Sequence, residues 1–277
     1  MATTLINSRA LIQVSGPDAA HFLNNLVTTD LSGMTVREWR SGAILTAQGK
    51  VQFTFLIARE HESFLIETEI ADSAEFHKRI KFYRLRAKVD FTDPVERPVC
   101  VTWDGPSPPA SRRDVRFGSY PVWRNFLVDS DNAGDLADWT RLRIVHGVAE
   151  PHADYAYNDV FPHDINLDQI GGVSFKKGCY VGQEVVSRMQ HRGTARWRLM
   201  VAKADTKLTG AVELFANAKP VGRIGSVSGM YGLALVRLDR IREALDANVP
   251  ILAGQLPVRF EFPQNVTYGW PQPAKAV

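Results

Sequence analysis

The chain has 277 residues, 45% of them hydrophobic and 23% charged, with 33 Lys and Arg against 30 Asp and Glu and only 2 cysteines. A chain of this length buries roughly 75% of its extended surface in one large or several small domains, so disorder, collagen-like repetition and a disulfide framework are excluded. The net charge of +3 is too small to imply a nucleic-acid partner by itself. Cys100 and Cys179 stand in no CxxC or Cys/His cluster, which argues against a self-contained zinc or iron-sulfur site and suits a reducing compartment. The opening residues carry polar groups every few positions, and no later apolar run reaches the length of a membrane span. A cytoplasmic protein without a membrane partner is expected.

Residues 10–15 alternate weakly and predict a strand. Pro17 suits the first turn of the helix that follows, where Ala19, Phe22, Leu23 and Leu26 form one apolar stripe. Residues 43–46, 51–58 and 64–67 are β-branched and aromatic and are separated by turn residues, so they predict a meander of hairpins. A second helix is predicted over 71–83, with Ala74, Phe76, Ile80 and Tyr83 in partial register, and residues 87–91 return as a strand. Residues 99–103 and 122–128 predict strands around the loop Pro106-Ser107-Pro108-Pro109. A helix over 133–146 carries Leu136, Trp139, Leu142 and Ile144 and stops before Gly147.

Residues 150–168 have neither period, and a connection of that length is more often functional than idle. His146, His152 and His163 lie in or near it without a regular ligand spacing, so no metal site is expected. After Trp197, short apolar runs punctuated by Gly and Pro predict a small β-barrel or sandwich. Strands followed by helices, without regular βαβ alternation, define an α+β class.

Residues 171–198 carry the chemistry. Gly182 opens a predicted helix in which Val185 and Met189 share a face, and Gly193 ends it. Cys179 then lies just before a helix N-terminus and beside Lys177, and both positive groups stabilise a thiolate wherever they face the sulfur. Gly178 and Gly182 permit tight turning and close approach. Lys176, Lys177, Arg188, Arg192, Arg196 and Arg198 stand against Glu184 alone in this stretch, a local excess that can meet an anion. A plainer reading exists for the same residues. A lone cysteine is most often a small core residue, and Glu184, Arg188 and Arg192 sit where the helix dipole favours their signs. Spacing leaves both readings open.

Lys177-Gly178-Cys179-Tyr180-Val181-Gly182-Gln183-Glu184 resembles, at every specified position, the KGCYxGQE signature of the YgfZ family, folate-binding proteins related to the T-protein of the glycine cleavage system. Arg188 and Gly193 follow it. Residues 14–20 with Phe22-Leu23, and Arg143, Gly147, Phe161-Pro162 and Asn166-Leu167, are similar at the level of pattern, so the resemblance spans most of the chain. It implies a T-protein-like folate-binding α+β body of two related modules, residues 1–92 and 93–196, closed by a C-terminal β-barrel over 197–277.

The resemblance also implies a cavity for tetrahydrofolate or a derivative. Arg192, Arg196 and Arg198 are then the cations for the glutamate tail, since guanidinium pairs well with carboxylate. Asp164, Asn166 and Asp168 are hydrogen-bonding candidates for the pterin, and equally suit turn caps. Cys179 becomes the functional thiol and Cys100 a structural one. The implied role is assembly or repair of iron-sulfur clusters in client enzymes, with indirect effects on tRNA modification. The implied partners are a folate and iron-sulfur client or assembly proteins. No DNA or direct RNA partner is expected, because Tyr180 and Trp197 suit a core or pocket as well as a stacking platform. The alternative is tetrahydrofolate-dependent aminomethyl transfer. T-proteins carry an Asp-Asp pair in the hairpin where this chain has Phe53 and Thr54, neither able to act as a carboxylate base. Enzymatic turnover is left open, with an assembly factor favoured.

Overall fold

In the computed structural model, which describes residues 1–126 and 134–271, the chain folds as two units, Met1–Leu136 with Ile170–Arg188 and Ala137–Gln169 with Met189–Val277. The first unit contains β1 (Ala2–Ile6), β2 (Arg9–Ser15), α1 (Ala19–Leu26), β3 (Glu38–Leu45), β4 (Val51–Glu60), β5 (Ser63–Glu69), α2 (Ile70–Tyr83), β6 (Asp90–Phe91), β7 (Val95–Glu96), β8 (Val99–Trp103), β9 (Arg112–Asp114) and β10 (Val122–Asn125). Its strands join in the order β1-β8-β10-β9-β3-β4-β5-β2-β6, with β7 also beside β2. The pairings are antiparallel except β3 with β9.

The predicted stripe of α1 is the face that folds inward. Ala19, Phe22, Leu23 and Leu26 are buried with Phe76 and Ile80 of α2 against Ile12, Ile44, Phe55 and Ile66 of the sheet. On α2 the predicted Ala74 points to solvent, and Ser73 and His77 complete the buried face. Burial, with a smaller contribution from Lys81, lowers the His77 imidazole below its usual range against an opposing effect of Asp93. The predicted strand over 87–91 shortens to β6, because the backbone turns through residues 84–89 by local hydrogen bonds. β1 was not anticipated, and pairs with β8. The predicted strand over 122–128 is seen as β10, and residues 127–133 lie outside the described residues.

The second unit holds α3 (Leu136–His146) from Ala137 onward, the last turn of α4 (Gln183–Arg192), and then β11 (Trp197–Lys203), β12 (Val212–Ala216), β13 (Lys219–Ser228), β14 (Tyr231–Arg237), α5 (Leu238–Asp246), β15 (Ile251–Ala253), β16 (Leu256–Pro257) and β17 (Arg259–Glu261). These strands form one antiparallel sheet in the order β16-β15-β12-β13-β14-β11-β17. Met200, Leu214, Ile224, Ala234 and Val236 make its core, closed by Leu238, Ile241 and Ala244 of α5. That helix was not anticipated among the Gly and Pro punctuation. In α3, Trp139 and Ile144 are buried, whereas Leu136 is exposed and Leu142 half-buried, so the stripe is narrower than predicted. Gly147, at φ +65°, ends the helix as expected.

Candidate functional site

Residues 170–188 close onto the first unit through backbone groups. The Thr28 hydroxyl donates to the Gly172 carbonyl at 2.6 Å and accepts the Ala43 N–H at 2.9 Å. The Ser174 N–H donates to the Thr28 carbonyl at 2.9 Å, and the Ser174 hydroxyl accepts the Lys177 N–H at 3.2 Å. That turn sends the Lys177 side chain to the end of α1, where its ammonium donates to the carbonyls of Val27 at 2.7 Å and Thr29 at 2.9 Å. Carbonyls at a helix C-terminus lack helical partners and attract a cation. The expected ammonium beside Cys179 is thereby corrected, because the unpaired carbonyls take the charge. Burial brings Lys177 down to about 8, against a smaller opposing effect of Asp30.

Tyr180 turns inward as well. Its backbone N–H donates to Gln183 Oε1 at 3.2 Å, and its ring centroid lies 5.3 Å from the Lys177 ammonium. Burial pushes its phenol up to about 12, and the hydroxyl has no hydrogen-bond partner among the described residues. Two glycines then let the β3–β4 turn touch the start of α4. A Cβ on Gly182, at φ +79°, would sit 2.5 Å from the Thr46 carbonyl oxygen, and one on Gly49, at φ +78°, would sit 3.0 Å from Val185 Cβ. On α4, Val185 and Met189 are half-buried, and the fully buried residue is Val186. Glu184 and Arg188 pair at 2.6 Å on the exposed face. Gly193, at φ +60°, follows the last turn.

Between the two inward anchors, Gly178 and Cys179 are exposed, whereas Cys100 is buried in β8. The result is an accessible thiol on a loop whose neighbours on both sides are fastened to the fold. Phe53, at the hairpin position of interest, packs edge-on against Phe76 with centroids 5.7 Å apart, and Thr54 beside it is half-buried.

The remaining predicted residues lie in the second unit, and three of them, Asn166, Asp168 and Arg198, form one network. Arg198 grips Asp168 with two hydrogen bonds of 2.7 and 3.0 Å and donates to the His163 carbonyl at 2.6 Å. Its guanidinium also stacks 4.5 Å from the Tyr268 ring centroid. Asn166 is fully buried at φ +59°; its amide donates to the Gly147 carbonyl at 3.5 Å and its Oδ1 accepts from the Tyr268 hydroxyl at 3.0 Å. Asp164 accepts the Phe161 N–H at 2.8 Å. Burial lowers the His163 imidazole below its usual range. Arg192 and Arg196 are exposed. The anchors Val27, Thr29 and Tyr268 were missed from sequence, since nothing local marks a carbonyl or a phenol as a distant partner. Among the described residues no group of three or more His, Cys, Asp or Glu could hold a metal ion, and no helix is long and apolar enough to cross a membrane.

The fold is that of a glycine cleavage aminomethyltransferase T. The aminomethyltransferase T of the glycine cleavage system from Bartonella henselae matches with a TM-score of 0.68 over 95% of this chain and 86% of that one, at 13% identity, a likeness of fold alone. Residues 196–268 match the CAF17 C-terminal beta-barrel domain. Sequence narrows the class further. The mitochondrial iron-sulfur cluster assembly factor IBA57 of Homo sapiens is 30% identical over 87% of this chain and 78% of its own length. A mitochondrial IBA57 homologue of Chaetomium globosum is 33% identical over 70% of this chain and 54% of its own length. The chain therefore belongs to the IBA57 family of iron-sulfur cluster assembly factors. It spans about half the length of the fungal relatives it matches.

These relatives are mitochondrial by name, which overturns the cytoplasmic expectation. Two cysteines in no CxxC or Cys/His cluster and an ordinary composition describe a reducing environment, and more than one compartment offers that.

Proposed function

We propose that this protein supports assembly or repair of iron-sulfur clusters in client enzymes, with Cys179 as the thiol that meets the cargo. The observation that carries this reading is the exposed thiol held between the anchored Lys177 and Tyr180. Iron-sulfur clusters are held by several thiolate or imidazole ligands at once. A single thiol suits shared, transient ligation in which a client or assembly partner supplies the others. Membership of the IBA57 family supports the same role. The signature also supports kinship with YgfZ proteins, and effects on tRNA modification would then arise indirectly, through iron-sulfur enzymes that modify tRNA. The modules 1–92, 93–196 and 197–277 are proposed on the same resemblance.

Tetrahydrofolate or a derivative is the proposed ligand. Its glutamate tail needs exposed cations, a role assigned to Arg192 and Arg196. Asp164, Asn166 and Asp168 are proposed on the pterin side, with Arg198 acting by holding Asp168. When bound, the folate supplies a reduced ring able to carry one-carbon units. Aminomethyl transfer is the second reading, and it finds no carboxylate at Phe53 or Thr54.

Cys179→Ala is expected to change stability by less than ~0.5 kcal/mol, as for other exposed positions. It should leave tetrahydrofolate binding intact and lower iron-sulfur enzyme activity in cells. Unchanged client activity would remove the thiol from the mechanism. Calorimetric titration of tetrahydrofolate tests the ligand, and formation of methylenetetrahydrofolate from an aminomethyl donor would favour the second reading.

A further inference from the structure

Within the first unit, α1 and the end of α2 enclose an open groove of about 400 Å³. Phe22, Leu26, Tyr83 and Val181 give it an apolar floor, and Arg84 and Arg86 stand at its edge. Asp18 also lines it, but its carboxylate accepts the Lys88 N–H at 2.7 Å, and His21 is within 2.9 Å of the Asn25 amide. Arg84 and Arg86 are exposed and have no ion-pair partner among the described residues. Residues 79–88 carry five cations and no acid. Beside them Phe82 is 70% exposed and Leu85 86% exposed. Leu85 also holds a left-handed backbone, φ 46°, which a leucine adopts only at a cost.

We propose that this groove docks an acidic, amphipathic segment of the protein that meets Cys179 during cluster assembly. The proposal rests on the role given above to Cys179, and Val181 brings the groove floor to within two residues of that thiol. Charge decides the sign of the occupant, since two unpaired guanidiniums beside exposed apolar side chains are complementary to carboxylates flanking an apolar stripe. The recessed apolar floor favours an inserted peptide face, with the protruding Phe82 and Leu85 packing on its flanks.

Fluorescence anisotropy with the full chain tests this, using two labelled synthetic helical peptides, one of Glu and Leu and one of Lys and Leu. The Glu-Leu peptide should bind about tenfold tighter than the Lys-Leu peptide, and the double substitution Arg84→Glu, Arg86→Glu should abolish that preference. Leu85→Gly should weaken binding about fivefold while melting at or above the wild-type temperature, because glycine adopts the left-handed backbone freely. Cys179→Ser should bind the peptide as wild type does, so failure of the groove and failure of the thiol reading are told apart. Equal affinity for the two peptides, or indifference to these substitutions, would overturn the proposal. So would displacement by tetrahydrofolate, self-association lost in the same variants, or variant-sensitive binding to phosphatidylserine vesicles, which would assign the groove to a small ligand, a second copy or a membrane.

Discussion

In the first unit Lys177 fastens the signature loop by reaching the carbonyls of Val27 and Thr29, and Cys179 is left in solvent. In the second, Arg198 fastens the 150–169 connection by gripping Asp168 and the His163 carbonyl, and Asn166 is enclosed completely. Each device is one cation tying an irregular segment to regular structure. The difference lies in the partner. A lysine ammonium is a compact charge that collects converging carbonyls and can lose its proton when buried, whereas a guanidinium fork matches a planar carboxylate and keeps its charge. The first device displays a reactive atom on a firm base; the second locks polar groups into the interior.

Breaking the second device should cost most. Arg198→Ala leaves the buried Asp168 carboxylate without its cation, still held by the Gln169 amide at 2.7 Å, and a loss of ~3 kcal/mol in urea unfolding is expected. Arg198→Lys should recover only part of it, since the two parallel hydrogen bonds cannot be remade. A loss close to that of a surface substitution would show that the connection is held elsewhere.

The backbone contact beneath the first device ranks next. Gly182→Ala adds a methyl 2.5 Å from the Thr46 carbonyl at a positive φ, and about 2 kcal/mol of destabilisation is expected. Circular dichroism melting of the variant measures it, and a neutral outcome would mean that the β3–β4 turn yields to the signature.

The smallest effect is the most diagnostic of the difference between the two cations. Lys177 keeps its proton to 10.5 in the unfolded chain but only to about 8 in the folded one. Between those values the unfolded state binds the extra proton, so this residue makes stability rise as pH increases through 8 toward 10. Above 10 the opposite effect of Tyr180 sets in, because its folded phenol holds the proton up to about 12. Lys177→Met should cost ~1 kcal/mol at pH 7 through the unpaired carbonyls and should remove the rise between pH 8 and 10. Parallel urea titrations of both proteins across that window are the measurement; identical slopes would mean that the ammonium titrates as in water.

What was legible in the sequence follows from the range of the forces involved. The stripe of α1, the hairpin strands, the Gly147 and Gly193 helix ends and the change to barrel strands near Trp197 are written in neighbouring residues, so local periodicity found them. Helix α5 and the buried His77 escaped because punctuation and polarity outweighed spacing. The octapeptide signature singled out the segment on which the proposed site rests, and Cys179 within it is exposed.

By itself the sequence determined the class of fold and the signature, because these depend on local pattern and residue type. Only the tertiary structure decided which groups are engaged. It carried the Lys177 charge to carbonyls some 150 residues away in the chain, and joined Asp168 to an arginine 30 residues on. The reason is that a buried polar group must find a partner wherever the fold brings one, and that choice is made by packing rather than by neighbours in sequence.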